Sequence, residues 1–215
     1  MTDPVRLAVI YYSSTGTVHS LALEATRAGE AAGAAVRLRK VAELAPREAV
    51  ASNPLWAQHL SDTEDVPTAS TDDLVWADGI LFGTPTRYGS PAAQLKQFID
   101  TTGPLWQRGA LADKVYGAFT ATGTAHGGHE STLMNLATDF HHWGGVIVPP
   151  GYTDPALFQS GNPYGTSVVA GQDSSAALVS MAIQTRRVLA VAGRLNRGSE
   201  VPAEELSVTE ERRAG

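Results

Sequence analysis

The sequence contains no cysteine among its 215 residues. This absence excludes disulfides, iron–sulfur clusters, thiolate zinc sites and thiol nucleophiles at once. The sequence also has no apolar run of the length that a membrane span needs, and its first residues, "MTDPVRL", lack a signal-peptide pattern. We therefore expect a soluble, cytoplasmic protein with no membrane insertion.

Basic residues are few, and they are not clustered. There are 16 Lys and Arg against 22 Asp and Glu, which gives a formal net charge of −6, and no dense Lys/Arg run is present. Nucleic-acid binders carry a concentrated basic footprint, so we expect no nucleic-acid partner. The same acidic balance means that a bound phosphate has to be held by local dipoles rather than by a basic surface.

Short apolar segments alternate with helical patterns along the chain. Predicted strands lie at 5–12, 34–41, 78–85, 114–121 and 145–151, and predicted helices at 18–32, 54–60, 92–102, 130–143 and 178–192. This alternation predicts an α/β fold with a doubly wound five-stranded parallel sheet and helices on both faces. We expect one domain over 1–197, with an excursion at about 42–73, a long loop at about 150–173, and a polar, flexible tail at 198–215.

The loops after three of the predicted strands have unusual sequences. They are Ser13–Thr17, Thr84–Pro91 and Thr122–Glu130. In open α/β sheets, ligands bind outside the carboxyl ends of the strands. We therefore expect these three loops to form a single site.

The first loop, "SSTGT", precedes a helix and offers four hydroxyls and one glycine. Amides of a first helical turn have no intrahelical partners, and the helix dipole favours an anion there. The loop has neither the lysine of a Walker motif nor the GxGxxG pattern of a dinucleotide site, so a monophosphate ester fits it best. The alternative is an ordinary Ser/Thr helix cap with a turn glycine.

Two other kinds of chemistry find little support. His126, His129, Glu130, His141 and His142 could form a metal cluster, but HExxH is absent and a glycine-rich loop supplies no rigid spacing, so we predict no metal site. Neither GxSxG nor a Ser-His-Asp pattern is present, and hydrolase chemistry is poorly supported.

Taken together, three stretches carry a family resemblance. "YYSSTGTV", "FGTPTRYGSPAAQLKQFIDTTGPLW" and "TGTAHGGHE…HHWGGVIVPPGY", in this order, resemble the WrbA family of flavodoxin-like NAD(P)H:quinone oxidoreductases over about Val5 to Leu195. The resemblance implies a flavodoxin-like sheet of strand order 2-1-3-4-5, FMN as cofactor, NAD(P)H as reducing co-substrate and a quinone as acceptor. It also implies a homo-oligomer, either dimer or tetramer, and a ping-pong hydride transfer through the flavin.

The resemblance also assigns site residues. It implies three catalytic residues, Arg87, Trp106 and His141. The residues that it implies for FMN binding come from the three loops and one later histidine: Ser13, Ser14, Thr15, Gly16, Thr17, Val18, Pro85, Thr86, Arg87, Tyr88, Ala121, Thr122, Gly123, Thr124, His126, Gly127 and His141. The family often has an aromatic residue where this chain has Thr15, which leaves the mode of NAD(P)H binding and the preferred nucleotide open.

Plainer roles remain for some of these residues. Arg87 could stabilise anionic reduced flavin or form a surface salt bridge, and Trp106 could stack on a planar substrate or simply pack in a core or subunit interface. Two other functions remain as alternatives to the enzyme. One is a flavodoxin-type electron carrier, and the other is an FMN-bound regulatory or interaction protein.

Overall fold

A parallel sheet runs through the molecule in the computed structural model, which describes residues 3–198. The strands are β1 Arg6–Tyr11, β2 Ala35–Lys40, β3 Gly79–Arg87, β4 Ser90–Pro91, β5 Val115–Thr122, β6 Val146–Ile147 and β7 Thr166–Val169. The main strand order is β2-β1-β3-β5-β6, with β7 also paired to β5 and β4 to β3. This order confirms the predicted parallel arrangement, in which β5 is the predicted fourth strand.

Helices connect the strands and cover both faces of the sheet. They are α1 Thr17–Ala31, α2 Arg47–Ala51, α3 Pro54–Asp62, α4 Thr71–Trp76, α5 Ala93–Asp100, α6 Gly103–Gln107, α7 His129–His142, α8 Leu157–Ser160 and α9 Ser175–Gly198. Across residues 3–198, none of these helices is both long and apolar enough to cross a bilayer. The predicted flexible tail lies outside the described residues, apart from Gly198, with which α9 ends.

The side chains of β1 show why two helical layers form. Successive strand residues point to opposite faces, and every residue of Leu7–Tyr11 is buried, so both faces need a cover. Leu7 and Val9 pack with α1 and α9, while Ala8 and Ile10 pack with α5 and α7. Full burial of such a side chain contributes about 1.5–3 kcal/mol, so these two layers supply much of the stability that fixes the strand ends.

The outermost strand differs from the prediction. Only Val146 and Ile147 of the predicted strand 145–151 pair with β5, opposite Val115 and Tyr116. Pro149 and Pro150 follow, and proline has no N–H to donate to a ladder. The C-terminal half of β5 pairs instead with β7, and Thr122 lies opposite Val169. The prediction of one continuous fifth strand was wrong, and the predicted loop at 150–173 contains α8 and β7.

The excursion at 42–73 contains α2 and α3 and leads into α4, which confirms the helix predicted near Pro54. Glu43 connects the excursion to the sheet through hydrogen bonds. Its carboxylate accepts hydrogen bonds from Tyr12 Oη at 2.8 Å, Trp56 Nε1 at 2.9 Å and Gln94 Nε2 at 2.7 Å. Burial opposes ionisation, but hydrogen bonds from the Ala45 amide and these side chains outweigh it and lower the pKa of Glu43. An ionised carboxylate therefore joins the excursion to the end of β1 and to α5.

Candidate functional site

The three predicted loops meet at the carboxyl end of the sheet. Parallel registers place Tyr11 beside Gly83, and Gly83 beside Phe119, so β1, β3 and β5 end at one edge. A cleft of about 200 Å³ opens there. Its lining residues come from all three loops and from the residue after β7: Ser13, Ser14, Thr15, Thr17, Val18, Pro85, Thr86, Arg87, Ala121, Thr122, Gly123 and Ala170. Most of the predicted binding residues therefore share one cleft.

The first loop has the geometry of an anion cradle. Gly16 adopts a left-handed conformation with φ of 96°, which a residue with a Cβ rarely adopts, and its N–H donates to Ser13 Oγ at 3.0 Å. The first intrahelical bond runs from the Ser20 N–H to the Gly16 carbonyl at 2.9 Å. The first-turn amides of Thr17, Val18 and His19 therefore remain available to a ligand, beside the loop hydroxyls.

Neutral groups lie behind this loop. Tyr11 Oη lies 2.6 Å from His19 Nδ1, and the His19 ring contacts the ring of His59 at a centroid distance of 5.3 Å. Burial, together with the neighbouring His59 and Lys40, lowers the pKa of His19 to about 4. His19 is thus uncharged at neutral pH and supplies no positive charge to an anion in the loop, which would be held mainly by hydrogen bonds and the helix dipole.

The second loop is a tight hairpin. Thr86 pairs with Pro91 and Arg87 with Ser90, which leaves Tyr88 and Gly89 as a two-residue turn with φ of 54° and 80°. Such turns favour Asn or Gly, so a tyrosine at the first position is strained. Its side chain is fully exposed at the tip. A strained, exposed aromatic residue beside a cleft points to a role in binding.

Arg87 joins the second loop to the first. Its Nη1 donates to the Thr86 carbonyl at 2.9 Å, and its Nη2 lies 3.4 Å from Ser14 Oγ. In the part of the chain that the structure describes, Arg87 forms no ion pair with a carboxylate. The described residues therefore give the surface salt-bridge alternative no support, and the guanidinium keeps donors directed at the cleft.

The third loop is held by a buried histidine. Thr122 Oγ1 donates to the Thr124 carbonyl at 2.7 Å and lies 2.7 Å from His129 Nε2. Because a hydroxyl has one proton, His129 has to donate from Nε2, which leaves Nδ1 as an unprotonated acceptor. Burial lowers the pKa of His129 and favours this neutral form. His129 thus holds the loop through a hydrogen bond from Nε2 alone.

Three predicted residues lie elsewhere in the chain. His141 is at the end of α7, twelve residues beyond its start at His129, which is about 18 Å along the axis. Trp106 lies beside it, with Nε1 donating to the His142 carbonyl at 2.9 Å and 55% of its surface exposed. His126 is exposed on the third loop and does not line the cleft. Within one chain, Trp106 and His141 do not reach the site.

Other predicted residues border the cleft without lining it. Gly16 and Tyr88 lie within their loops, and Thr124 and Gly127 are joined by a hydrogen bond from the Gly127 N–H at 3.0 Å. Ala170 was not predicted as a site residue, because it follows β7, which lies inside the segment that was predicted to be a loop. His129 was predicted only as a possible metal ligand, although a histidine that opens a helix after a glycine-rich loop is a signal for a site.

Histidines and carboxylates form no metal centre in the described region. Over residues 3–198, no group of three or more His, Asp or Glu side chains is arranged to hold a metal ion. The helix α7 separates His129 from His141, which accounts for the dispersal of the cluster that the sequence suggested.

Comparison with known proteins gives consistent matches. Residues 5–154 match the model of the family described as NADPH-dependent FMN reductase. The chain is 49% identical over 171 residues to a Deinococcus radiodurans protein named NAD(P)H dehydrogenase (quinone), which covers 79% of this chain and 86% of that protein. It is 42% identical over 177 residues to the quinone-oxidoreductase QR2 of Triphysaria versicolor, covering 79% and 84%.

The fold has counterparts among solved structures. A structure titled as a flavodoxin, WrbA-like protein from Agrobacterium tumefaciens superposes with a TM-score of 0.63 at 23% identity, covering 88% of this chain and 98% of that one. A flavodoxin from the domain Archaea gives a TM-score of 0.56 at 15% identity, covering 89% and 99%. At these identities the likeness shows the flavodoxin-like fold alone.

Proposed function

The chain belongs to the WrbA family of flavodoxin-like NAD(P)H:quinone oxidoreductases, within the NADPH-dependent FMN reductases, and from this we infer that it is an FMN-dependent NAD(P)H dehydrogenase (quinone). The observation that carries the inference is the convergence of a hydroxyl-rich helix start, a strained hairpin and a glycine-rich loop on one cleft. When bound there, FMN supplies the capacity to take hydride from NAD(P)H and to pass two electrons to a quinone.

We assign the FMN phosphate to the first loop. The hydroxyls of Ser13, Ser14, Thr15 and Thr17 and the first-turn amides form a donor set that suits a phosphate dianion. Each hydrogen bond to a charged group contributes about 1.5–3 kcal/mol, so four or five hold the ester without a lysine. This donor set is the reason why the residues fit FMN rather than a dinucleotide pyrophosphate.

The other two loops would hold the ring. Pro85 and Thr86 line one side of the cleft, and Ala121, Thr122 and Gly123 line the other. Arg87, placed at the edge by its bond to the Thr86 carbonyl, would stabilise negative charge that develops there. We propose that NAD(P)H and the quinone occupy the same open face in turn, which is the ping-pong order. A cytoplasmic location would give the protein access to NAD(P)H.

The positions of Trp106 and His141 support a homo-oligomer. His141 lies about 18 Å along α7 from His129, Trp106 on α6 is hydrogen-bonded to the same end of α7, and both residues are exposed. Tryptophan is enriched in protein interfaces relative to the rest of the surface, so an exposed Trp106 suits such an interface. We propose that these residues complete the site of a second copy, where Trp106 would stack against a planar substrate.

The function is tested by purifying the protein, measuring bound FMN by absorbance, and mixing it with NADH or NADPH and then benzoquinone in a stopped-flow instrument. We expect yellow protein, bleaching by the nucleotide, and recovery of colour with the quinone. Colourless protein that cannot be reconstituted with FMN would contradict the proposal. A stable one-electron intermediate without nucleotide oxidation would instead indicate an electron carrier, and flavin without turnover a regulatory protein.

The shared site is tested by complementation between two defective chains. Trp106→Ala should lower quinone turnover by about two- to tenfold, since aromatic contacts contribute about 0.5–1.5 kcal/mol. Thr17→Asp should remove FMN but leave Trp106 in place. Co-expression of the two should produce mixed oligomers in which some sites have both FMN and Trp106, and turnover per FMN should rise above that of Trp106→Ala alone. An unchanged value, or a monomer by light scattering, would refute the shared site.

A further inference from the structure

A second cavity of about 340 Å³ lies next to the cleft, beside strand β7 and between the first turns of α7 and α9. It shares walls with the cleft, because Thr122, which lines the cleft, is hydrogen-bonded to His129, which lines the cavity. Val169 lines the cavity and the next residue, Ala170, lines the cleft. A ligand seated in the cleft could therefore extend into the cavity.

His129 lines this cavity and has one buried acceptor without a partner within residues 3–198. Its side chain lines the cavity, the residue is only 7% exposed, and Nδ1 has no hydrogen-bond partner among the described residues. Nε2 is committed to Thr122, so Nδ1 presents a lone pair. A buried polar atom without a partner costs about 1–3 kcal/mol, which a ligand with a hydroxyl or amine donor would recover.

The remaining polar groups of the cavity are also acceptor-rich. Glu130 and Asp173 line it, and Glu130 has a single long contact, 3.5 Å from Asn162 Nδ2. Among the described residues that line the cavity, none is Lys or Arg. Carboxylates already occupy both neighbouring helix starts, since Glu130 lies in the first turn of α7 and Asp173 accepts from the Ser175 N–H at 3.0 Å. The cavity is thus built for an uncharged donor rather than for an anion.

We propose that this cavity binds the adenosine ribose of the reduced nucleotide and makes the enzyme prefer NADH to NADPH. The inference rests on the proposed function, and it concerns the choice of nucleotide that Thr15 and the relatives' names leave open. A ribose diol offers two O–H donors, which suit His129 Nδ1 and the Glu130 carboxylate. An acidic residue on the ribose 2′-hydroxyl is the usual basis of NAD selection. The 2′-phosphate of NADPH would instead face Glu130 and Asp173 without a compensating cation.

Binding of two dinucleotide fragments tests the proposal without any turnover. ADP-ribose and 2′-phospho-ADP-ribose are titrated separately into the FMN-loaded protein by calorimetry. We expect ADP-ribose to bind at least about tenfold more tightly, because the phosphate adds a charge that repels two carboxylates. Equal affinities, or tighter binding of the phosphorylated fragment, would overturn the proposal.

Matched variants locate the effect. Glu130→Gln and Asp173→Asn remove charge while preserving shape, and the Asn side chain can still accept a hydrogen bond from the Ser175 N–H. Each should reduce the preference for ADP-ribose several-fold, and the pair should nearly abolish it. Glu48→Gln, which removes an exposed charge in the first turn of α2, should retain the full preference. Equal loss in all three would show a general effect of net charge and would contradict a local subsite.

The buried acceptor is tested by a pair of substitutions at His129. His129→Leu removes it and should weaken ADP-ribose about tenfold, whereas His129→Gln keeps an amide oxygen and should recover part of the affinity. If His129→Leu fails to fold, the variants Glu130→Gln, Asp173→Asn and His129→Gln still decide the question. A protein that binds ADP-ribose as described but oxidises no NADH would refute the function while retaining the subsite. Turnover with no fragment preference would refute only the subsite.

Discussion

Thr17→Asp is expected to weaken FMN binding at least about a hundredfold, with the fold intact. Thr17 is the first residue of α1 and lines the cleft. The substitution removes one hydroxyl donor to the phosphate, worth about 1.5–3 kcal/mol, and adds a carboxylate next to a dianion. A loss of about 2.7 kcal/mol corresponds to the hundredfold change. FMN titration of the apoprotein, followed by flavin fluorescence, measures it.

The same substitution should not destabilise the protein when FMN is absent. A carboxylate at a helix start interacts favourably with the helix dipole, by about 0.3–1 kcal/mol, so the thermal midpoint of the apoprotein should stay level or rise. Thr17→Asn has the same shape without the charge and should lose far less affinity. Ser20→Asp, one turn on and exposed, places the charge outside the cleft. Should Thr17→Asp bind FMN as tightly as Thr17→Asn, the phosphate must lie elsewhere.

Gly165→Ala is expected to cost about 3 kcal/mol of unfolding free energy. A Cβ at this position would collide with the Ala118 carbonyl oxygen and come within 2.6 Å of Leu133 Cδ2. The carbonyl belongs to β5 in the middle of the sheet and cannot move aside, so β7 would have to separate from it. For a chain of this size, such a loss lowers the thermal midpoint by roughly 6–12 °C.

Calorimetric unfolding of the two apoproteins measures this difference. Gly103→Ala is the matched control, because a Cβ there would meet nothing within 4 Å, and its midpoint should match that of the unsubstituted protein. Since Gly165 leads into β7, whose end carries Ala170 to the cleft, the first variant should also bind FMN more weakly. A Gly165→Ala protein as stable as the control would mean that β7 does not pack closely on β5.

The inner strands and the three loops could be predicted because local sequence determines them. Burial of most of their residues makes β1, β3 and β5 mainly apolar, and the turn residues that follow them mark the carboxyl edge. The composition of "SSTGT" likewise indicates its chemistry before any distance is known. These features depend on residues close together in the chain, which a sequence displays directly.

The outer edge and two of the residues that were predicted to be catalytic could not be placed in this way. β6 and β7 pair with β5 over only a few residues each. A long segment separates them in the chain, so the sequence does not indicate that both lie at the same edge of the sheet. His141 and Trp106 follow motif residues in the chain, but α7 carries His141 to its C-terminal end, and Trp106 on α6 is hydrogen-bonded to that end. The contact between Trp106 and the end of α7 is a tertiary contact, which the local sequence does not display.

The hydrogen bonds of Glu43 have a consequence for how the protein opens. Tyr12, which donates to Glu43, is the residue directly before Ser13 and the first loop, and Trp56 and Gln94 bring α3 and α5 to the same carboxylate. Local unfolding of α3 would remove the Trp56 donor from the ionised, half-buried Glu43 carboxylate, which costs free energy. Because Tyr12 donates to the same carboxylate, this change would also affect the first loop. The excursion and the first loop therefore open as one cooperative unit, so slower amide exchange on binding of the flavin should extend into α3.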